Sequence, residues 1–139
     1  MIMKKDMEIV GYAVLRFEDN NKELKAVRIV DMIVFENYEG EIIQQIANYC
    51  HNKVDFIDFF CTGNFYKTSF EKNEFFNNLI EDVKIPTVFN PIDLTRRPDI
   101  NFFYKQSIFD LSYSDSLNDI NNWYFVKGDS DQDRANRIQ

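Results

Sequence analysis

The sequence predicts an α/β (α+β) fold: a mixed, mostly antiparallel sheet with a central β-α-β crossover. Three observations carry that expectation. Apolar residues follow a two-residue period up to residue 36 and again after residue 53, while between them the spacing lengthens to that of a helix. The 139 residues match one domain in length, and 45% hydrophobic with 16% aromatic residues can fill a core without metal or disulfide. No internal repeat, Gly-Ser linker or low-complexity segment divides the chain, so residues 1–139 read as a single domain with a structured core over 8–127 and a polar tail over 128–139.

Residues 8–18, Glu-Ile-Val-Gly-Tyr-Ala-Val-Leu-Arg-Phe-Glu, are β-branched and aromatic and read as a strand. Asp19-Asn20-Asn21-Lys22 is a turn cluster, and residues 24–36 return as the second strand of an antiparallel hairpin. Strict alternation puts Val27, Ile29, Asp31, Ile33 and Phe35 on one face and Arg28, Val30, Met32, Val34 and Glu36 on the other. Apolar residues on both faces mark a central strand. The outer edge of 8–18, carrying Val10, Tyr12, Val14 and Phe17, is then expected to self-associate into a homo-oligomer or to be covered by residues 1–7 or 85–100.

Over 39–52, Ile42, Ile43, Ile46, Ala47, Tyr49 and Cys50 form one stripe of a helix. Asn37 suits its N-cap, and Glu39 and Glu41 suit its positive end. Residues 54–61 read as a third strand, parallel to 24–36 across a right-handed crossover. Thr62-Gly63-Asn64 breaks it, and a short helix over 65–71 follows. Asn77, Asn78, Pro86, Asn90, Pro91 and Pro98 interrupt every period across 72–98. Strands resume at 100–106 and 123–126, on either side of a polar loop over 112–122, and the tail after Lys127 is expected to fray.

Charge narrows the partners. Sixteen Lys and Arg against 23 Asp and Glu leave a net charge of -7. Nucleic acid and anionic membrane both select a basic face, so neither is expected as a partner. No signal peptide or apolar span is readable, Cys50 and Cys61 fit reduced thiols, and the expected location is the cytoplasm. His51 has no Cys or His at ligand spacing, and Asp129, Asp131 and Asp133 lack the glycine and closing glutamate of a calcium loop, so no metal site is expected. Arg96-Arg97 reads as a solvated turn pair.

Asp31 stands between Ile29 and Ile33, where burial raises a carboxylate toward the range useful for a general base; the other reading is a paired structural acid. Asp58, between Ile57 and Phe59, is either partnered or beside a cleft.

The succession of hairpin, helix, strand, short helix and closing strands over residues 8–127 resembles the C-terminal half of the GNAT N-acyltransferase superfamily. The string Lys-Gly-Asp-Ser-Asp-Gln-Asp-Arg over 127–134 is similar to the ending of a bacterial GNAT-like group linked with polysaccharide and sugar metabolism. The resemblance implies transfer of an acetyl group from acetyl-CoA to a small-molecule amine such as an amino sugar. The superfamily's N-terminal part has no counterpart, so the chain is expected to be an excised domain or to work with a separate N-terminal half. In the family a loop reading Gln/Arg-x-x-Gly-x-Gly/Ala holds the acetyl-CoA pyrophosphate on helix-start amides. The matching positions include Tyr38, Glu39, Gly40 and Glu41, within a loop with one glycine and no basic residue. That stretch is either the cofactor loop or a well-capped structural helix start, and acetyl-CoA binding is expected to be weak or absent.

The family's tyrosine acid falls on Phe65 here, with Tyr66 one position away, about 100° around a helix. Tyr66 is therefore either that acid in a shifted geometry or a packing residue. A non-catalytic GNAT-fold interaction or assembly module is the alternative function, and an aromatic small-molecule binding domain is a third.

Overall fold

The computed structural model describes residues 1–19, 24–76, 88–89, 92–93 and 118–129. Four strands, β1 (Ile2–Lys5), β2 (Glu8–Asp19), β3 (Lys25–Val34) and β4 (Phe56–Phe59), lie side by side in chain order in a mixed sheet. β1 with β2 and β2 with β3 are antiparallel; β3 and β4 are parallel, as the period switches around the intervening helix predict. That helix, α1 (Glu39–Cys50), covers one face of the sheet beside the shorter α2 (Lys67–Lys72). Val88–Phe89 and Ile92–Asp93 form a separate antiparallel pair, β5 and β6, within a stretch where no strand is expected.

β1 corrects the expectation that order begins at residue 8. It covers the outer edge of β2, the outcome foreseen for residues 1–7. Asp6 and Met7 link the two strands with φ of +46° and +73°. Two consecutive positive φ values match the twist of a tight hairpin, but methionine is not a residue that announces one. Met3 is buried against the helices, so β1 is part of the core as well as an edge cover.

A bulge reorganises β3. Val14 pairs with Asp31 and Leu15 with Ile29, so Val30 is an extra residue. Strict alternation therefore fails beyond Ile29. Val27 and Ile29 share the helix-covered side with Met32 and Val34, whereas Arg28 shares the opposite side with Asp31 and Ile33. This also corrects Asp31, which is half-buried and not enclosed between Ile29 and Ile33. Under α1 the core gathers Met3, Val10, Ala13, Val27, Ile29 and Met32 against Ile42, Ile43, Ile46 and Cys50. Each fully buried aliphatic side chain of this size contributes about 1.5–3 kcal/mol. Gly11 faces Val34, where an added Cβ would come within 2.7 Å of Cγ2, so this crossing of β2 and β3 accommodates no side chain.

The N-cap of α1 is Tyr38, not Asn37, and no side chain caps the helix. Asn37 has φ +74° and turns the chain into the helix instead, a geometry asparagine tolerates. Strands 24–36 and 54–61 are shorter than expected, at Lys25–Val34 and Phe56–Phe59, and the helix expected over 65–71 runs from Lys67 to Lys72.

Residues 123–126 do not form a strand. They make one antiparallel bridge, Cys61 to Val126. The Thr62 hydroxyl donates to the Trp123 carbonyl at 2.6 Å and accepts from the Phe125 amide at 3.0 Å, taking groups a ladder would have used. Ile120–Asn122 forms a 3₁₀ turn within the expected loop. Lys127–Asp129 forms another where fraying is expected, tied by the Val126 amide donating to the Asp129 carboxylate at 2.9 Å. Gly128 lies flat against Val30, where a Cβ would meet Val30 Cγ1 at 3.1 Å. The expected strand at 100–106 and tail residues 130–139 lie outside the described residues, as do Arg96 and Arg97.

Candidate functional site

The parallel pairing of β3 and β4 ends at Ile29 and Phe59. Beyond it Ala13 and Met32 face each other across β2 and β3. Ala13 gives both its backbone groups to Met1: its amide donates to the Met1 carbonyl at 3.0 Å, and the N-terminal ammonium donates to the Ala13 carbonyl at 2.7 Å. Met32 therefore directs its own N–H and C=O away from β2, toward the side β4 has left. A notch with a strand edge results.

Two tyrosines fill it. The Tyr124 hydroxyl accepts from the Met32 amide at 3.3 Å and also donates to the Met32 carbonyl. The Tyr66 hydroxyl donates to the same carbonyl at 3.4 Å. Their rings meet edge to face with centroids 5.9 Å apart, and Phe65 packs on Tyr124 in the same way at 5.4 Å. Burial pushes both phenols up from the ordinary tyrosine range. At Tyr66, hydrogen bonding with the Val34 backbone opposes the rise, and the Glu39 and Asp31 charges add to it. At Tyr124 the Tyr66 phenol adds to the rise. Both hydroxyls consequently keep their protons at neutral pH.

Tyr66 reaches the notch because it precedes α2 as the N-cap, with φ +61°. Within a regular helix its side chain would point roughly 100° away from that of Phe65. The left-handed residue removes that constraint. A non-glycine residue held there costs on the order of 1–3 kcal/mol and marks a place worth examining for function.

Asp31 follows the bulge, and the Tyr12 hydroxyl donates to its Oδ2 at 2.7 Å. That hydrogen bond is the main reason the Tyr12 phenol is raised. Of the two catalytic candidates named from sequence, Tyr66 bonds the Met32 carbonyl, while the Asp31 side chain, one residue before Met32, bonds Tyr12 on the face of the sheet away from α1. Their partners there, Tyr12 at Asp31 and Tyr124 at Met32, were not singled out. The register that sets Tyr12 beside Asp31 depends on the bulge, and Tyr124 comes from 92 residues further along the chain.

The cofactor-loop candidates lie nearby at the start of α1. Tyr38 is its N-cap, and Glu39 and Glu41 occupy the first turn. Glu41 pairs with Lys5 at 3.0 Å, and the Gly40 carbonyl accepts from Asn73 Nδ2 at 3.5 Å. A Cβ on Gly40 would make only ordinary contact with Asn73 at 3.7 Å, so this glycine does not hold open a cradle. Glu39, Asn64, Tyr66, Lys67, Thr68 and Ser69 line a shallow open depression of about 130 Å³.

The opposite face of the sheet carries a second polar group of residues. Arg28, 1% exposed, lies 3.5 Å from Glu18 and 3.7 Å from Asp58, and Arg16 pairs with Glu18 at 2.6 Å. Burial raises the Asp58 carboxyl, against the pull of Arg28 and Lys127; burial lowers the Lys127 ammonium. Asp58 is therefore the partnered acid of its two sequence readings. Among the described residues no helix is long and apolar enough to cross a membrane. No protein-family model matches the chain, and comparison with curated proteins and with solved structures likewise returns no match.

Proposed function

We propose that the chain is a GNAT-like N-acetyltransferase, or a domain of one, that transfers an acetyl group from acetyl-CoA to a small-molecule amine such as an amino sugar. The observation that supports this most is the Tyr66 hydroxyl on the Met32 carbonyl, where the parallel strands part, next along β3 to Asp31, whose charge is felt at the Tyr66 phenol. In the reaction the amine nitrogen attacks the thioester carbonyl, a C–N bond forms and the C–S bond breaks. Asp31 takes the proton the amine loses, with Tyr12 orienting the carboxylate. Tyr66, kept protonated by its burial, supplies a proton to the departing thiolate. The ending at 127–134 favours a bacterial sugar or polysaccharide pathway as the setting.

Binding of the donor is weak in this reading. Glu39 and Glu41 set negative charge where a diphosphate would seek the helix-start amides. Unit charges about 4 Å apart repel by roughly 1–4 kcal/mol between bulk water and a surface dielectric, which is about one to three decades of affinity. Calorimetry at low salt is expected to give no saturation below the high-micromolar range. Glu39→Gln with Glu41→Gln should tighten it, by less as salt rises.

The deciding assay follows thiol release from acetyl-CoA over a panel of amines that includes 2-amino sugars. Asp31→Asn and Tyr66→Phe are each expected to slow it by roughly 10²–10⁴-fold. Absence of thiol release together with absence of binding at millimolar donor would sink the enzyme reading. The second reading, a non-catalytic GNAT-fold assembly module, is favoured by one observation: tyrosine hydroxyls already satisfy the Met32 backbone. A protein partner that saturates while acetyl-CoA does not would select it.

A further inference from the structure

We propose that the chain pairs with a second copy of itself through the bare side of the sheet, the side away from α1 and α2. The pairing stands apart from the acyl-transfer reading and needs no donor. Alternation along the strands places the residues. Met3, Ala13 and Met32 pack toward the helices, so their chain neighbours Ile2, Tyr12, Val14 and Ile33 point the other way. Ile2 pairs with Tyr12 and Tyr12 with Ile33, which makes one row across three strands. Ile9 joins them through its pairing with Lys4, the next residue after Met3. Phe35 extends the patch past β3: its amide donates to the Val10 carbonyl at 2.8 Å, and Val34 before it packs on the core. Ile2, Ile9, Val14, Ile33 and Phe35 are between 46% and 65% exposed.

Single exposed apolar residues are ordinary, but five on one sheet face make a patch. Their open surface comes to roughly 500 Å² a copy, so a pair hides about 1,000 Å² before Tyr12 is counted, which is where specific interfaces begin. The charges bordering the patch match its own. Lys4 stands at one corner on β1, and Asp31, paired with Val14, stands at the diagonally opposite corner on β3. A two-fold axis over Tyr12 sets each Lys4 against Asp31 of the second copy. Within one copy β2 lies between them, and strand spacing and rise put them roughly 15 Å apart, so they meet only between copies. Asp31 already accepts from Tyr12, so covering its carboxylate leaves no unanswered acid. A net charge of -7 argues against an anionic membrane as the occupant.

Sedimentation velocity over about 1 μM to 1 mM tests the pairing. The unaltered chain is expected to be a reversible dimer with a Kd on the order of 10 μM, and Ile33→Lys, at a half-exposed position, to weaken it by at least about tenfold. Lys4→Glu and Asp31→Lys each set like charges against each other across the axis, and each is expected to be monomeric at about 50 μM. Mixed, these two variants restore both opposite-charge contacts and are expected to form a heterodimer. An unaltered chain that stays monomeric at about 1 mM overturns the proposal, whether another stretch of this chain or a different protein covers the face. A dimer that Ile33→Lys leaves intact overturns it as well, because the contact then lies elsewhere. Charge variants that dimerise as tightly as the unaltered chain, or that stay apart when mixed, also overturn it. Should Ile33→Lys fold poorly, the mixture decides, since mixing restores contacts between copies and not within one.

Discussion

Arg28 is 1% exposed and reaches Glu18 at 3.5 Å and Asp58 at 3.7 Å from one guanidinium. Replacing it with methionine keeps the volume but leaves a desolvated carboxylate without its nearest guanidinium. Arg28→Met is expected to lose about 3–5 kcal/mol in urea unfolding, far more than an exposed pair would. Asp58 carries a pH signature. Burial holds its folded carboxyl above the ordinary 3.8, so the folded state binds that proton more tightly than the unfolded chain. Its contribution is then most favourable below 3.8 and is lost as pH rises through the folded value. As pH rises from 3.8, the stability of the unaltered protein minus that of Asp58→Asn should fall. A flat or rising difference contradicts the burial account. Asp31 and Asp58 stood out in the sequence because an acid among apolar neighbours must be answered by something. What answers them, Tyr12 and Arg28, was not legible: one contact spans a hairpin and the other joins two strands across α1.

At the scale of elements, β1 is a short cover for a long strand. Removing residues 1–5 takes Met3 from the core and exposes the edge of β2 over Glu8–Ala13. The shortened chain is expected to associate as concentration rises in light scattering, and a monomer of undiminished stability would show the cover to be dispensable. The hairpin of β2 and β3, helix α1 and the parallel return to β4 were all legible, because each has its own hydrophobic period. The bulge at Val30 was not. A bulge adds one residue without changing composition, so alternation continued on paper while the chain changed faces. The N-cap was misplaced for a related reason: asparagine serves both as cap and as left-handed turn, and neighbours in space choose between them.

The whole molecule joins its two described ends at one place. Met1 bonds to Ala13 on one side of the sheet centre, and Tyr124 bonds to Met32 just across β3. Local patterns predicted the middle of the chain well, whereas the contribution of 118–129 depends on contacts more than 60 residues apart, such as Thr62 with Trp123 and Phe125, which no period encodes. The unequal burial of the two cysteines has a kinetic consequence. Cys61 is half-buried and donates to the Phe65 carbonyl at 3.7 Å, and burial pushes its thiol up to about 11 from the usual 9.0, so thiolate is roughly a hundredfold scarcer at mildly alkaline pH. Cys50 lies beneath α1 at 1% exposure. An alkylating reagent therefore meets the first thiol in the folded chain, slowed by its scarce thiolate, and must wait for the helix to leave the sheet before it meets the second. Labelling followed by mass spectrometry should show two separated steps, Cys61 before Cys50, the second timing the opening of the helix in an unmodified chain. Simultaneous labelling would mean that the helix opens as fast as the first thiol reacts.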